Sequence, residues 1–178
     1  MAMMDQHKRM SQCIEELLEV VAVEKAKGPN HHIDFSKLLR DRLQPLKKDA
    51  LSHSLLIKSN IEPNVMMMVN HRMITLMVDH LFSNAIRFAS HSLFISLTTD
   101  EKEIIFTIID DGPGIRQGET EFIWNRFFTG KNQALRNPKI GAGLGLSIVK
   151  KVVEMYHGHI TVENNPHAGV TFTLFFPK

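Results

Sequence analysis

The sequence predicts a two-layer α/β sandwich, in which a mixed, largely antiparallel sheet carries helices on one face and is preceded by one amphipathic helix. Two segments, 92–109 and 159–176, each contain two strand-like runs around a polar turn, and both read as hairpins. The rest of the chain reads as a first helix followed by mixed helices and strands, without the strict strand–helix alternation that a parallel sheet requires. This order favours hairpins covered by helices.

The chain begins with a predicted helix over residues 5–27, which Gly28 and Pro29 end. Its apolar residues recur at helical spacing: Met10, Ile14, Leu17, Leu18 and Val21. A stripe of this kind is typical of one arm of a coiled coil or a helical bundle.

A second helix is predicted over roughly 36–52, with Asp34 or Ser36 as its N-cap. Pro45 predicts a kink or an early end of this helix, because proline lacks the backbone N–H that a helix interior needs. A strand over 55–61 follows.

A turn at 62–64 leads into a short strand over 65–69, and we interpret its run from Met66 to Met68 as core filler. The next helix, about 70–89, has the clearest periodicity in the chain. Its apolar face consists of Met73, Ile74, Met77, Val78, Leu81, Phe82, Ala85 and Ile86. A separate polar row, usually only a solvated surface, is formed by His80, Asn84 and Arg87 at i, i+4 and i+7.

Two glycine-rich segments lie in the second half of the chain. Asp110-Asp-Gly-Pro-Gly-Ile115 follows the strand 103–109, and Gly141-Ala-Gly-Leu-Gly-Leu146 opens a helix over about 143–157. Between them, residues 116–140 are irregular and include the aromatic run Phe122-Ile-Trp-Asn-Arg-Phe-Phe128. An irregular segment of that length in a compact domain is usually functional or disordered.

Both glycine-rich segments suit a nucleotide, although each alone also fits a plain turn. Unpaired N–H groups at a glycine-rich helix start, together with the helix dipole, form a phosphate site. A carboxylate at the end of a buried strand, here Asp110, can accept a hydrogen bond from the exocyclic amine of adenine, where guanine offers a carbonyl. The Rossmann fingerprint, the Walker loop and the protein-kinase triplets are absent from the sequence.

The order of these features resembles the four sequence boxes of the superfamily that contains gyrase B, Hsp90, MutL and histidine kinases. Asn84, Asp110-x-Gly-x-Gly, the aromatic run, Gly141-x-Gly-Leu-Gly and a closing hairpin follow one another along the chain. The part from Gly141 to Pro177 looks specifically like a histidine kinase. The resemblance covers about residues 5–178 and implies the Bergerat fold of that superfamily.

The resemblance implies a role for each matching residue. Asp110 would bind the adenine amine, Gly112 and Gly114 would let the chain pass close to the base, and Phe88 would pack on it. Asn84 would ligate Mg²⁺ through its amide oxygen.

The phosphate end of the implied site draws on two parts of the chain. Arg87 would contact phosphate, and Gly141, Gly143 and Gly145 would wrap the phosphates as a lid over 116–140 closes. Arg126 and Lys131 are candidate cations in that lid that would stabilise the phosphate charge. For each of them, an ordinary solvent-exposed charge without such a role is an equally good interpretation. The implied nucleotide-binding set is completed by Ile115, Leu144, Leu146 and Thr171, and the implied catalytic set is Asn84, His80 and Arg126.

The sequence departs from the family pattern in two places. His80 stands where the family usually has Asn or Glu, and imidazole is a poor Mg²⁺ ligand, so we expect weaker Mg²⁺ binding and pH-sensitive activity unless His80 touches nothing. The phosphoacceptor motif, His followed by an acidic residue, Arg or Lys and soon Thr-Pro, is missing, and His7 does not match it. We therefore expect a fragment whose phosphorylated helix would precede residue 1.

Composition excludes several other classes. The chain has 178 residues, a net charge of +2 and one cysteine, Cys13, and its basic residues are spread along the sequence. These features argue against a nucleic-acid partner and exclude an internal disulfide. No apolar run reaches the roughly 20 residues of a membrane span. We predict a cytoplasmic chain without membrane contact of its own, which leaves open that a larger parent protein is anchored in the membrane.

The sequence thus predicts the catalytic ATP-binding part of a two-component sensor histidine kinase, with ATP and Mg²⁺ as cofactors. Residues 1–28 would be the remnant of a dimerisation hairpin with its linker, and 29–178 the catalytic domain. Its partners would be the dimerisation and phosphoacceptor domain of the parent kinase and a response regulator. Two alternatives stay open: a nucleotide-binding module whose catalysis has decayed, and a serine kinase of the anti-sigma type with the same fold.

Overall fold

The computed structural model describes residues 14–23, 28–52, 55–130 and 143–178, together with residues 11 and 25. The elements are α1 (14–23), β1 (His31–Asp34), α2 (Phe35–Ser52), β2 (Leu56–Ile61), β3 (Met66–Val69), α3 (His71–Phe88), β4 (Ser92–Thr99), β5 (Glu103–Asp110), α4 (Gly145–Met155), β6 (His159–Asn164) and β7 (Val170–Pro177). None of these helices is long and apolar enough to cross a bilayer.

Five strands form the main sheet in the order β2-β4-β5-β7-β6. Only β2 and β4 run parallel, and the other neighbours are antiparallel. A separate two-stranded antiparallel ribbon joins β1 to β3. The predicted α/β sandwich with a mixed, largely antiparallel sheet is therefore confirmed, and so are the two predicted hairpins, β4–β5 and β6–β7.

Strand alternation determines what the helices cover. In β5 every second residue is buried: Ile104, Phe106, Ile108 and Asp110. Because successive side chains point to opposite faces of a sheet, these four residues share the covered face. Asp110 is the last residue of the series, so the periodicity that buries an apolar strand also carries one carboxylate to the edge of the core.

Helix α2 begins at the cap that Asp34 provides, since its Oδ1 accepts a hydrogen bond from the Lys37 N–H at 2.8 Å. Ser36 is not a cap: its buried hydroxyl donates to the Glu62 carbonyl at 2.6 Å and accepts from the Val65 N–H at 2.9 Å. The helix continues through Pro45 to Ser52, as the predicted range has it, so of the two expectations for the proline, a kink or an early end, the early end is wrong.

The methionine run of β3 also differs from the sequence interpretation. Met67 is buried, but Met66 and Met68 are half exposed, because strand alternation turns them to the outer face of the ribbon. Only the central methionine fills the core.

Helix α3 has the predicted extent and begins at Asn70, whose side-chain Oδ1 accepts hydrogen bonds from the backbone N–H groups of Arg72 and Met73. The Asn70 N–H donates to the hydroxyl of Tyr156 at 2.9 Å. This bond joins the start of α3 to the end of α4, so the two helices that flank the candidate site are held together.

Helix α1 confirms the helical prediction for residues 14–23, and the rest of the predicted helix lies outside the described residues, apart from residue 11, which is also helical, and Lys25, which lies in a turn. The face that contacts the domain is not the apolar stripe, which the sequence pattern assigned to a coiled coil or a helical bundle. Val20 and Val23 are buried against the domain, and Ile14, Leu17, Leu18 and Val21 are exposed.

Asp111 anchors the turn between α3 and β4. Its Oδ1 accepts hydrogen bonds from the Ser90 and His91 N–H groups at 2.9 and 3.0 Å. Partial burial by itself would raise the pKa of this carboxyl, but hydrogen bonds from His91, Ser92 and Ser90 outweigh that effect and lower the pKa to about 2.

Replacing Asp111 with asparagine is expected to destabilise the domain at neutral pH and distinctly less at pH 2.5. The folded-state pKa of about 2 lies below the ordinary 3.8. The carboxylate therefore stabilises the fold fully above the unfolded-state pKa, and that contribution is lost as the pH falls through the folded-state pKa. Urea unfolding of both proteins at the two pH values measures the difference. A deficit of equal size at both would contradict the linkage.

Candidate functional site

An open pocket lies between α3, the end of β5, the segment 113–130 and the start of α4, with about 1030 Å³ of empty space that includes open solvent. Most residues assigned from the sequence line it: His80, Asn84, Arg87, Phe88, Asp110, Gly114, Ile115, Gly143, Gly145 and Leu146. These residues come from distant parts of the chain, and the fold brings them around one cavity.

The polar row of α3 forms one wall of the pocket. His80, Asn84 and Arg87 face the cavity together because residues four and three apart share one side of a helix. Burial lowers the pKa of Arg87, and the negative charge of Glu16 opposes that effect. The guanidinium carbon lies 6.0 Å from the ring centroid of Phe88, so this end of the wall combines a cation with an aromatic face.

Asp110 supplies a buried acceptor, with only 5% of its surface exposed. Burial raises the pKa of its carboxyl, against the effect of hydrogen bonds from the Gly112 and Val170 N–H groups. The Gly112 N–H lies 2.9 Å from Oδ1 and fixes the plane of the carboxyl. Val170 and Phe172 line the same pocket, so the polar group stands beside an apolar wall that an adenine ring could occupy.

The loop after Asp110 is held by two neighbouring asparagines. Asn164 Oδ1 accepts from the Ile115 N–H, and its Nδ2 donates to the Ile115 carbonyl, both at 2.7 Å. Asn165 Nδ2 donates to the Asp110 carbonyl at 3.2 Å, and its Oδ1 accepts from the Thr171 hydroxyl at 2.6 Å. Thr171 is absent from the pocket lining and supports Asp110 through Asn165.

The second glycine-rich segment faces the pocket from the start of α4. A Cβ at Gly143 would lie 2.6 Å from the Phe128 carbonyl oxygen, and its φ of +76° also favours glycine. A Cβ at Gly145 would lie 3.1 Å from His80 Nδ1. The residue at the start of the helix, Leu144, has an apolar side chain that makes no capping hydrogen bond. The N–H groups of this first turn can therefore serve an anion.

Several assigned residues lie elsewhere. Leu144 is fully buried in the core, so its side chain does not face the pocket. Gly112 is also absent from the lining, and a Cβ there would lie 2.3 Å from the Phe88 carbonyl oxygen, so its small size serves helix packing. Arg126 lines a different cavity, beside Val20 and Val23. Lys131 and Gly141 lie outside the described residues.

The aromatic run does not form a helix: residues 122–127 are turns and bends, and Phe122 and Phe127 are exposed. Trp124 meets Phe172 edge to face at 6.2 Å, and Phe122 stacks on Phe128 at 6.4 Å. Phe128 and Ile123 line the pocket, so this run closes one side of it.

His80 does make a contact, which excludes the alternative that it touches nothing. Its Nε2 lies 2.9 Å from Glu19 Oε2 of α1, and both side chains are largely shielded, 17% and 34% exposed. Among the described residues, no group of three or more His, Cys, Asp and Glu side chains could hold a metal ion by itself. A metal in this pocket would need a ligand such as Asn84 together with oxygens from the bound molecule or water.

Sequence reasoning missed two groups of residues at the pocket. Glu16 and Glu19 belong to a helix far away in sequence, and no local signal tells where that helix packs. Asn164 and Asn165 were assigned only to a turn, for which asparagine is a common residue. Two adjacent asparagines before a proline were the available signal, but their bonds to the loop at Asp110 and Ile115 are long-range.

The family model described as histidine kinase-, DNA gyrase B-, and HSP90-like ATPase matches residues 70–178. The heme sensor protein HssS of Staphylococcus saprophyticus is 31% identical over 155 residues, which cover 83% of this chain and 32% of HssS. The phosphate regulon sensor protein PhoR of Haemophilus influenzae is 27% identical over 183 residues, 99% of this chain and 42% of PhoR. The chain thus spans less than half the length of these relatives.

The fold also matches a solved structure. The histidine kinase AdeS of Acinetobacter baumannii superposes with a TM-score of 0.75 at 22% identity, over 99% of this chain and 82% of that one. At this level of identity the match supports the architecture of the sheet and helices.

Proposed function

The chain belongs to the histidine kinase-, DNA gyrase B-, and HSP90-like ATPase family, and from that membership we propose that it is the ATP-binding catalytic part of a two-component sensor histidine kinase. In this proposal, residues 1–28 derive from a dimerisation hairpin and its linker, and residues 29–178 form the catalytic domain. The single observation that carries the proposal is one cavity that is lined both by a buried acceptor, Asp110, and by the start of α4, where the N-cap residue makes no side-chain hydrogen bond.

The nucleotide would lie along this cavity. Adenine would place its exocyclic amine on the Asp110 carboxylate and its ring beside Val170 and Phe172. The phosphates would then reach the backbone N–H groups at Gly143 and Gly145, where the helix dipole favours negative charge. A nucleotide in this orientation satisfies the buried acceptor and the uncapped helix start together.

Mg²⁺ fits the same orientation as a cation held chiefly by phosphate oxygens and water, with Asn84 as the protein ligand. The metal would neutralise charge on the transferring phosphoryl group. Asn84 lies between His80 and Arg87 on the α3 wall, beside the phosphate end. Arg87 would add a fixed positive charge there, and its burial strengthens the interaction with phosphate.

The γ-phosphoryl group would pass to a histidine on another segment of the parent kinase, and from there to a response regulator. Phosphoryl transfer depends mainly on positioning and charge neutralisation, which this pocket can supply without a covalent intermediate on the protein. We also propose that the chain acts in the cytoplasm, where ATP and such partners are available.

The test is phosphotransfer in trans. The chain is incubated with γ-labelled Mg·ATP and a separately purified hairpin domain of the parent kinase, and label on that domain is measured after acid and alkali treatment. Acid-labile, alkali-stable label on the hairpin supports a histidine kinase. Acid-stable label indicates a serine kinase, and nucleotide binding without transfer indicates a module with decayed catalysis.

Replacing Asn84 with alanine is expected to remove most of the Mg²⁺ dependence of ATP binding. The loss of one protein ligand should weaken Mg²⁺-supported affinity about tenfold and leave metal-free ATP binding nearly unchanged. Titration calorimetry with ATP in Mg²⁺ and in EDTA measures both, with Asn60→Ala, an exposed site on β2, as the control. If the ratio of the two affinities stays at the wild-type value, Asn84 is not the ligand.

A further inference from the structure

Helix α1 packs against the nucleotide pocket rather than standing apart from the domain. Val20 and Val23 are buried, with 7% and 2% of their surfaces exposed. On the same side of the helix, Glu19 Oε2 lies 2.9 Å from His80 Nε2, and Glu16 lines the pocket itself. Two carboxylates of α1 therefore stand at the wall that we assign to the phosphates.

The face that α1 uses is unusual for a helix docked by burial alone. Glu16, Glu19, Val20 and Val23 share one side of the helix because they are spaced by three and four residues. The more apolar stripe points to solvent and consists of Ile14, Leu17, Leu18 and Val21. Two small valines bury little apolar area, so the carboxylates contribute substantially to the choice of this face.

The two carboxylates face the basic members of the α3 row. Glu19 contacts His80, and the negative charge of Glu16 acts on Arg87, where it raises the pKa against the larger lowering effect of burial. Asn84 lies between these two residues on the same wall. A triphosphate at this wall would bring negative charge to the same groups, and like charges in a partly shielded site repel.

On the basis of the proposed function, we infer that Glu16 and Glu19 compete with the nucleotide phosphates for the His80–Arg87 wall, so that Mg·ATP must displace α1 to bind fully. His80 is then the α1-binding residue of the pocket, which gives a physical role to a position where the sequence departs from the usual family pattern. The apolar stripe of α1 remains available for another helix when the acidic face is released.

In such a competition, the apparent affinity for nucleotide equals the intrinsic affinity multiplied by the fraction of molecules in which α1 is released. Its effect depends on phosphate charge, because the carboxylates lie at the phosphate end. Adenosine contains the base but no phosphates, so the two carboxylates should not affect its affinity.

The test compares the double variant Glu16→Gln, Glu19→Gln with the wild type in the full chain. Titration calorimetry with Mg·ATP is expected to show an affinity increase of about fivefold, and adenosine should bind equally to both. The variant Glu15→Gln changes an exposed carboxylate of the same helix outside the pocket lining and should leave both affinities unchanged.

A second measurement follows α1 without any nucleotide. Trp124 is the only tryptophan of the sequence and lines a cavity with Val20 and Val23. In the double variant the emission of Trp124 should shift to longer wavelength, because release of Val20 and Val23 exposes the indole ring to water. The control Glu15→Gln should leave the emission unchanged.

Unchanged or weaker Mg·ATP affinity in the double variant overturns the inference, and so does equal tightening of adenosine. An unshifted Trp124 emission likewise contradicts release of α1. If neither the wild type nor the double variant binds Mg·ATP, the proposed function itself fails, and the inference fails with it.

Discussion

Replacing Asp110 with asparagine is expected to weaken Mg·ATP binding by about 10- to 150-fold, the value of one hydrogen bond to a charged, shielded group. The carboxyl is almost fully buried, and its Oδ1 already accepts the Gly112 N–H. An asparagine can accept only through its single oxygen. Its amide NH₂ must then face either the Gly112 N–H or the adenine amine, and two donors cannot pair.

Base selectivity gives the sharper measurement. Guanine has a carbonyl where adenine has its amine, so the wild type should bind Mg·ATP more tightly than Mg·GTP, and Asp110→Asn should narrow that difference. The matched control is Asp111→Asn, which makes the same change one residue away, at a side chain bonded to Ser90 and His91 instead of the pocket. Equal affinity of the wild type for both nucleotides would remove Asp110 from its assigned role.

Replacing Gly169 with alanine is expected to cost about 3 to 5 kcal/mol of folding free energy, from backbone strain and overpacking together. The residue has a φ of +90°, and a Cβ there would lie 1.8 Å from the Asp110 carbonyl oxygen. No side-chain rotation can relieve a clash with backbone, so the end of β5 must move. Asp110 would move with it, and Mg·ATP binding should weaken in any protein that still folds.

The chain offers a control that separates strain from clash. Gly118 has a φ of +82°, but a Cβ there would meet nothing within 4 Å, so Gly118→Ala should cost only about 1 to 2 kcal/mol. Urea unfolding of both variants, with calorimetric titration of Mg·ATP, measures the two effects. A Gly169→Ala variant no less stable than Gly118→Ala would show that the contact at Asp110 is not rigid.

Local patterns were sufficient for most of the fold. The strand-like patterns in 92–99 and 103–109 predicted the β4–β5 hairpin, and helical periodicity predicted α3 almost to its ends, because each signal reflects which face of one element is buried. The same reasoning failed at Met66 and Met68, where residue type suggested burial but strand alternation exposes both. At Pro45 the predicted range of the helix was correct, and only the alternative of an early end was wrong, because the helix continues through the proline to Ser52.

For the candidate site, the sequence identified the residues on each element but not all of their surroundings. His80, Asn84, Arg87 and Asp110 do meet around one cavity. Thr171 and Arg126 lie outside its lining, because a position on the correct segment does not specify which way a side chain points. Thr171 reaches the loop at Asp110 through its hydrogen bond to Asn165.

By itself, the sequence determined the order of helices and hairpins, the buried carboxylate at the end of β5 and the glycine-rich start of α4. Each follows from spacing within a single segment. Only the tertiary structure decided that the acidic face of α1, rather than its apolar stripe, lies against His80 and the pocket. That choice depends on packing between segments more than fifty residues apart, since Glu19 and His80 are separated by 61 positions, and no local pattern encodes it.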